Sequence, residues 1–338
     1  MTNLFSSFSL NGLELTNRIM MSPMCQYQVK QKDGCPTDWH YTHYTSRAIG
    51  GTGLVFFEMT NVEPRGRITE HCLTLYSKEQ VPKFKRIVDA CHEYGAKVGL
   101  QIAHAGRKST IKGSDIVGPS SLPFSPDSPC PRALMEDEIK EIVQCFAESA
   151  SLAVKAGFDT IELHGAHGYL LHQFMSPVSN KRKDKYGEYT AFPLEVIKAV
   201  RASIPSSMPL IMRVSAREYG EQSYDLDHVL SMIPEFIKAG VDAFDVSTGG
   251  NSPVRPEVYP GYQVKYAKKI KEIFGIPVIA VGRLENPDIA EKVIRDKEAD
   301  IVAIGRGMLR SPYWAKEASL HVKENLELPG VYDMGYSF

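Results

Sequence analysis

Short apolar runs alternate with longer stretches of helical periodicity from one end of the chain to the other. The runs cover 18–22, 53–57, 97–102, 160–163, 209–214, 243–247, 277–281 and 301–304. Val, Ile, Leu and Phe dominate them and charge is scarce inside, which is how strands buried on both faces read. Between them, apolar residues recur at helical spacing over 38–49, 79–94, 136–156, 193–203, 226–239, 264–274, 287–296 and 312–325. Gly95, Gly157 and Gly240 each follow a helical stretch and suit a left-handed C-terminal cap. Pro193, Pro287 and Pro312 suit a first helical turn. Ahead of the first run, Phe8-Ser9-Leu10 and Leu13-Glu14-Leu15 flank Asn11-Gly12. That pair best accepts the positive φ angles of a tight hairpin, so a small cap is predicted before the main domain.

Eight strand-then-helix units over this length predict an α/β fold, a (β/α)8 TIM barrel spanning 1–338 as a single domain. The rival is an open doubly wound sheet, which wants a Gly-rich first βα turn. Gly51-Thr52-Gly53 precedes a strand instead of following one. No fixed-period repeat and no low-complexity segment is visible. The longest irregular piece, 109–134, is rich in Pro, Ser and Gly and reads as a functional loop or lid.

Composition narrows the class. The chain has 338 residues, 43% hydrophobic and 23% charged, as in an ordinary soluble globule. A net charge of -1 argues against a nucleic-acid partner. No apolar run reaches membrane-span length. Met1-Thr2-Asn3-Leu4-Phe5 carries no cationic region of a signal peptide. None of the six cysteines forms a C-x-x-C pair, and Cys91 and Cys145 fall in helical patterns as small buried hydrophobes. A reduced, cytoplasmic protein is expected.

Barrel enzymes carry their reactive groups at the C-terminal ends of the strands. Here those ends are unusually polar. They read Ser22-Pro23-Met24-Cys25-Gln26-Tyr27, then Glu58-Met59-Thr60, then Gln101 and His104 with Arg107-Lys108. His164, His167 and Tyr169 follow, then Arg213, Ser247-Thr248-Gly249-Gly250, Gly282-Arg283 and Gly305-Arg306-Gly307. Burying so many polar groups without partners is costly, so they are expected to face a ligand. Gly282-Arg283 and Gly305-Arg306 end the last two strands, where barrels often hold a phosphate. Three readings of His164 and His167 stay open: backbone capping and packing, a zinc site, or paired donors stabilising negative charge on a carbonyl oxygen. In the third, Tyr169 supplies a proton to the adjacent carbon. Cys25 is either inert packing or a functional thiol. Arg213, with no local acid beside it in sequence, is expected to face an anionic ligand.

With these residues placed, the sequence resembles the Old Yellow Enzyme family, and within it the bacterial branch with a cysteine near the flavin. The likeness runs from Asn17-Arg18-Ile19 and Ser22-Pro23-Met24-Cys25-Gln26-Tyr27 through Gly66-Arg67-Ile68-Thr69. It continues through Gln101-Ile102-Ala103-His104-Ala105-Gly106-Arg107-Lys108, His164-Gly165-Ala166-His167-Gly168-Tyr169 and Ser176-Pro177-Val178-Ser179-Asn180. Arg213-Val214-Ser215, Pro260-Gly261-Tyr262-Gln263 and Ile304-Gly305-Arg306 complete it.

The resemblance implies an oxidoreductase, an ene-reductase with bound FMN and NADPH or NADH as reductant. It implies two-step, ping-pong hydride transfer to the C=C bond of enones and enals. Ser22, Pro23, Met24, Cys25, Met59, Gln101 and Arg213 would surround the flavin ring, with Cys25 tuning its potential. Gly282, Arg283, Gly305 and Arg306 would hold its phosphate. His164 and His167 would bind the substrate carbonyl, Tyr169 would donate the proton, and Tyr27 would be a further substrate contact. The family also implies a homo-oligomer, a dimer or tetramer. Two departures stand out. Tyr186-Gly187-Glu188-Tyr189-Thr190-Ala191 runs straight into Phe192-Pro193, a shortened segment. The tail Asp333-Met334-Gly335-Tyr336-Ser337-Phe338 lacks the branch's terminal arginine, the last arginine being Arg310; the arginine's role is not carried over, and a tail contribution would fall to Tyr336 or Phe338. The rival functions are a metal-dependent barrel lyase or hydrolase with His164 and His167 as ligands, and a flavin-binding barrel without turnover. The multidomain dienoyl-CoA reductase type would need a cysteine cluster and further domains.

Overall fold

The computed structural model describes residues 2–336; Phe338, considered above for the tail, lies outside the described residues. Strands β1 (Phe8–Leu10) and β2 (Leu13–Leu15) form the expected hairpin, with Asn11 at φ 43° and Gly12 at φ 82°. Ten strands follow: β3 (Ile19–Met21), β4 (Leu54–Asn61), β5 (Lys97–Ala103), β6 (Val117–Gly118), β7 (Arg132–Ala133), β8 (Thr160–Gly165), β9 (Leu210–Ser215), β10 (Ala243–Ser247), β11 (Val278–Val281) and β12 (Ile301–Ile304). Except for β6 and β7, which pair with each other, they close an eight-stranded parallel barrel in the order β3-β4-β5-β8-β9-β10-β11-β12. Each predicted run overlaps one of these strands, with bounds that differ by a few residues at most.

The helices are α1 (Asp38–Ile49), α2 (Val81–Glu93), α3 (Glu136–Ala156), α4 (Leu170–Met175), α5 (Ala191–Ser203), α6 (Leu226–Ala239), α7 (Val264–Phe274), α8 (Pro287–Arg295), α9 (Arg306–Arg310), α10 (Trp314–Val322) and α11 (Asp333–Tyr336). Three expectations are corrected. The stretch 79–94 begins with a separate 3-10 turn, Lys78–Gln80, ahead of α2. Helix α5 starts two residues before Pro193. Pro312 lies outside α10, because Ser311 Oγ accepts the Tyr313 N–H at 3.2 Å and makes a turn there. Helices α4 and α9 escaped the periodicity reading because six and five residues are too few to show a period.

Side chains alternate in and out along each barrel strand. Outward Val55, Phe57, Met212, Val214, Phe244 and Val246 join the shell under the helices. Inward Met20, Leu54, Phe56, Ile211, Ala243, Ile279, Ile301 and Ala303 form a separate floor cluster, and Leu10, Leu13 and Leu15 of the hairpin pack onto it. The cap therefore plugs the bottom of the barrel and leaves the opposite end open. Gly99 makes room for Phe56 in this floor: a Cβ there would lie 2.3 Å from Phe56 Cζ. Gly99→Ala is expected to destabilise the fold by roughly 1–3 kcal/mol through overpacking. Denaturant unfolding measures it, and an unchanged midpoint would show that the ring yields freely.

The irregular piece 109–134 is partly structured. Val117 and Gly118 pair in parallel with Arg132 and Ala133. Arg132 bridges to Asp115 at 2.6 Å and Glu138 at 2.7 Å. The shortened segment packs normally: Tyr186 is buried, and its O–H donates to Glu195. Cys91 is buried as expected, whereas Cys145 is only partly so, and all six cysteines are free. No helix among the described residues is long and apolar enough to cross a membrane.

Candidate active site

The open mouth holds a cavity of about 350 Å³ lined by Ser22, Pro23, Cys25, Tyr27, Met59, Gln101, His164, His167, Tyr169 and Arg213. All ten were singled out from the sequence, and they come from five neighbouring strands of the barrel and the turns after them: β3, β4, β5, β8 and β9. Period-two alternation explains the convergence. Ser22 continues the inward face of Met20, Gln101 that of Gly99, and Arg213 that of Ile211.

The turn after β8 shapes the site. His167 has φ 58° and Gly168 φ 73°, two left-handed residues in succession. Gly168 is required there, since a Cβ would lie 2.4 Å from the Gly250 carbonyl oxygen. His164 stands edge-on to His167 at 5.1 Å and to Tyr169 at 4.8 Å between ring centroids. Burial, reinforced by Arg213, holds both imidazoles well below their ordinary pKa, so both are neutral. A neutral imidazole donates from one nitrogen only. His164 Nδ1 accepts the Ala166 N–H at 3.3 Å, which assigns the proton to Nε2. His167 Nε2 lies 2.7 Å from Ser247 Oγ. Ser247 Oγ is also 3.3 Å from Gln263 Oε1; with its O–H given to the shorter contact, the one to His167, the His167 proton is on Nδ1. Burial pushes the Tyr169 phenol well up, so it keeps its proton. Two neutral donors and a protonated phenol therefore share one cavity.

Burial and the nearby Glu58 push the Cys25 thiol well up, which leaves it protonated and a poor nucleophile. Glu58 also accepts the Gln26 N–H at 2.8 Å and so anchors the turn carrying Cys25 and Tyr27. Tyr27 itself has φ 54° and a partly exposed ring. Arg213 is buried; it donates to Ser22 Oγ at 3.5 Å, and its Nε stands 3.2 Å from Asp245 Oδ2.

The remaining predicted residues lie to one side of this lining. Gly305 approaches Met24 and Ser22: a Cβ there would meet Met24 Sδ at 3.5 Å. Gly282, at φ 124°, faces Tyr262 and Gln263. Burial raises the Tyr262 phenol, while the charges of Arg306, Arg213 and Arg283 pull it down. Arg306 is exposed, and Arg283 is held at the rim by Glu285 at 2.8 Å.

Sequence reading assigned no role to four contributors, although it counted Lys108 among the polar strand ends. Lys108 Nζ donates to the carbonyls of His167 at 2.9 Å and Gly250 at 3.0 Å, and lies 5.1 Å from the Tyr169 ring centre and 4.6 Å from that of Phe124 in the 109–134 piece. His172 Nδ1 accepts the Gly168 N–H at 2.8 Å and stands against Glu218 at 3.0 Å. Glu162 and Asp245 lie inside the barrel, two residues before His164 and Ser247 on their strands, and period two was the available signal. Among the described residues no group of three or more His, Cys, Asp or Glu side chains is arranged to hold a metal ion.

The chain is similar to several known proteins. Residues 3–325 match the model of the NADH:flavin oxidoreductase / NADH oxidase family. An NADPH dehydrogenase of Listeria innocua is 47% identical over 99% of this chain and 100% of its own length. An NADPH dehydrogenase of Geobacillus thermodenitrificans is 42% identical over 100% of this chain and 99% of its own. Among solved structures, morphinone reductase superposes with a TM-score of 0.82 at 25% identity, covering 97% of this chain and 91% of that one.

Proposed function

The chain belongs to the NADH:flavin oxidoreductase / NADH oxidase family, that of Old Yellow Enzyme, and on that basis we propose that it is an FMN-dependent NADPH dehydrogenase reducing the C=C bond of α,β-unsaturated carbonyl compounds. The observation that carries the reading is the convergence of neutral His164, neutral His167 and protonated Tyr169 on the cavity that Arg213 also lines.

The cavity's donor set fits a flavin. Arg213 is a buried cation that lines the cavity, where its guanidinium can meet an electron-rich ligand. Ser22 and Gln101 add polar edges, while Pro23 and Met59 offer apolar walls for a planar ring. Gly282 and Gly305, with Arg283 and Arg306 beside them, suit the phosphate. When bound, FMN supplies the two-electron chemistry, carrying hydride from NADPH to the acceptor.

The protein's own part is orientation and charge stabilisation. His164 Nε2–H and the His167 ring offer hydrogen bonds to the substrate oxygen, where negative charge grows as the β-carbon is reduced. Tyr169 O–H protonates the α-carbon. Tyr27 at the rim contacts the substrate, and Cys25, as a thiol, adjusts the flavin's surroundings without attacking. A single barrel-mouth cavity taken in turn by the nicotinamide and the enone would suit successive, ping-pong occupation.

Anaerobic mixing tests this directly. NADPH is expected to bleach the yellow protein, and cyclohexenone to restore the colour with formation of cyclohexanone. Bleaching with no reoxidation by any enone would overturn the reading.

Lys108 adds a pH signature. Burial, with Arg107 nearby, lowers its pKa to about 8. An unfolded lysine stays charged to about 10.4, so between these values the unfolded chain binds more protons, and this term makes the fold more stable as pH rises. The ammonium that ties His167 O to Gly250 O is lost over the same range. The reoxidation rate with cyclohexenone is therefore expected to fall as pH rises through about 8, and Lys108→Met to be slower with no such inflection. An identical inflection in Lys108→Met would assign it to another group.

A further inference from the structure

Below the cavity, four polar side chains face one another inside the barrel. Gln101 of β5 is paired in register with Glu162 of β8, and Arg213 of β9 with Asp245 of β10. Glu162 and Asp245 are completely buried, and neither lines the cavity. Gln101 Nε2 donates to Glu162 Oε1 at 2.7 Å. Arg213 Nε lies 3.2 Å from Asp245 Oδ2. These contacts leave Glu162 Oε2 and both Asp245 oxygens without a donor of acceptable geometry.

Two ionised carboxylates against one guanidinium would leave a net negative charge in a dry interior, with bare acceptors besides. A single proton removes both problems. Glu162 and Asp245 are both inward-facing and completely buried, and each carboxyl bears on the charge of the other. Glu162 Oε1 already receives the Gln101 N–H, so Oε2 is the atom free to carry the proton and donate it to Asp245.

We propose that Glu162 and Asp245 form an acid pair holding one proton on Glu162, and that ionised Asp245 neutralises Arg213, setting how much positive charge the guanidinium presents to FMN. The second half rests on the flavin reading above. Both are positioning residues that act through Arg213. Burial pushes both carboxyls up; the charge of Asp245 pushes Glu162 further, and Arg213 draws Asp245 back toward the ionised form. Conserving the pair's single proton keeps the interior neutral, so Arg213 acts on the ring as one end of an ion pair and not as a free cation.

Infrared difference spectra between the protein and Glu162→Gln, in the same cofactor state, test the proton. The protein is expected to show a C=O stretch of a protonated carboxyl that exchanges slowly in heavy water and is missing in Glu162→Gln. The second readout is the ratio of affinities for reduced and oxidised FMN. Glu162→Gln, which keeps a donor to Asp245, is expected to leave that ratio nearly unchanged. The double variant Glu162→Gln/Asp245→Asn removes every counter-charge and is expected to raise it on the order of tenfold in favour of the anionic reduced flavin. A missing band, a band that persists in Glu162→Gln, or an unchanged ratio in the double variant overturns the proposal. If the double variant does not fold, the infrared comparison decides. That comparison needs no flavin, so a protein that binds no FMN would defeat the functional reading and leave the proton test standing.

Discussion

Tyr169→Phe is expected to slow reoxidation of the NADPH-reduced protein by cyclohexenone by roughly 10²–10⁴-fold, the usual contribution of a positioned general acid. Reduction by NADPH should be nearly unaffected. The argument rests on three features. Burial keeps the Tyr169 phenol protonated, as a proton donor must be. Its ring sits 4.8 Å from that of His164, so the acid stands beside the group that polarises the oxygen. The ring itself packs against Met59, Ala103 and Ala105, and phenylalanine would keep that packing, so the loss reports the hydroxyl alone. Stopped-flow measurement of the two half-reactions separates the effects. An equal slowing of both would show that Tyr169 shapes the cavity without donating the proton.

The second large effect is expected at His164. His164→Ala removes a buried donor whose partner nitrogen is already committed to the Ala166 N–H. Removing one donor to a developing oxyanion costs about 2.7–4 kcal/mol, or roughly 10²–10³-fold in rate. A phenolate offers an oxygen of similar charge without being reduced, so binding of a para-substituted phenol should weaken in parallel. His164→Asn, which retains a donor, should recover part of both. Phenol binding and enone turnover as tight and fast as in the unmodified protein would take His164 out of the site. His167→Ala is a less clean test, because the His167 ring also contacts Ser247 Oγ through Nε2 at 2.7 Å, and its removal frees that hydroxyl.

Much of the site was legible along the chain because a parallel barrel turns sequence order into spatial order. Each strand ends at the same rim, so the polar residues that follow apolar runs must meet. Ser22, Gln101, His164 and Arg213 could therefore be assigned to one mouth, and they line one cavity. Resemblance to a family supplied what strand ends alone left open, namely a choice among the three readings of the histidine pair. The hairpin was equally local: Asn11-Gly12 carries the left-handed angles in its own chemistry.

What stayed hidden depends on contacts between distant strands. Lys108 looked like one more basic residue after β5, and only the closure of the barrel brings it against the carbonyls of His167 and Gly250. The tautomer of His164 and the neighbour of His167 Nε2 follow from backbone and side-chain positions that periodicity does not specify. Glu162 and Asp245 are 83 positions apart and read singly as ordinary strand carboxylates; their meeting beside Arg213 exists only once eight strands surround a common axis. Apolar alternation and turn chemistry are properties of short segments, so they survive in the linear chain and determine the elements, their order and the end at which the reactive groups gather. Charge state, proton placement and donor direction are set by dielectric and distance across the interior, and these come into being only when the barrel closes.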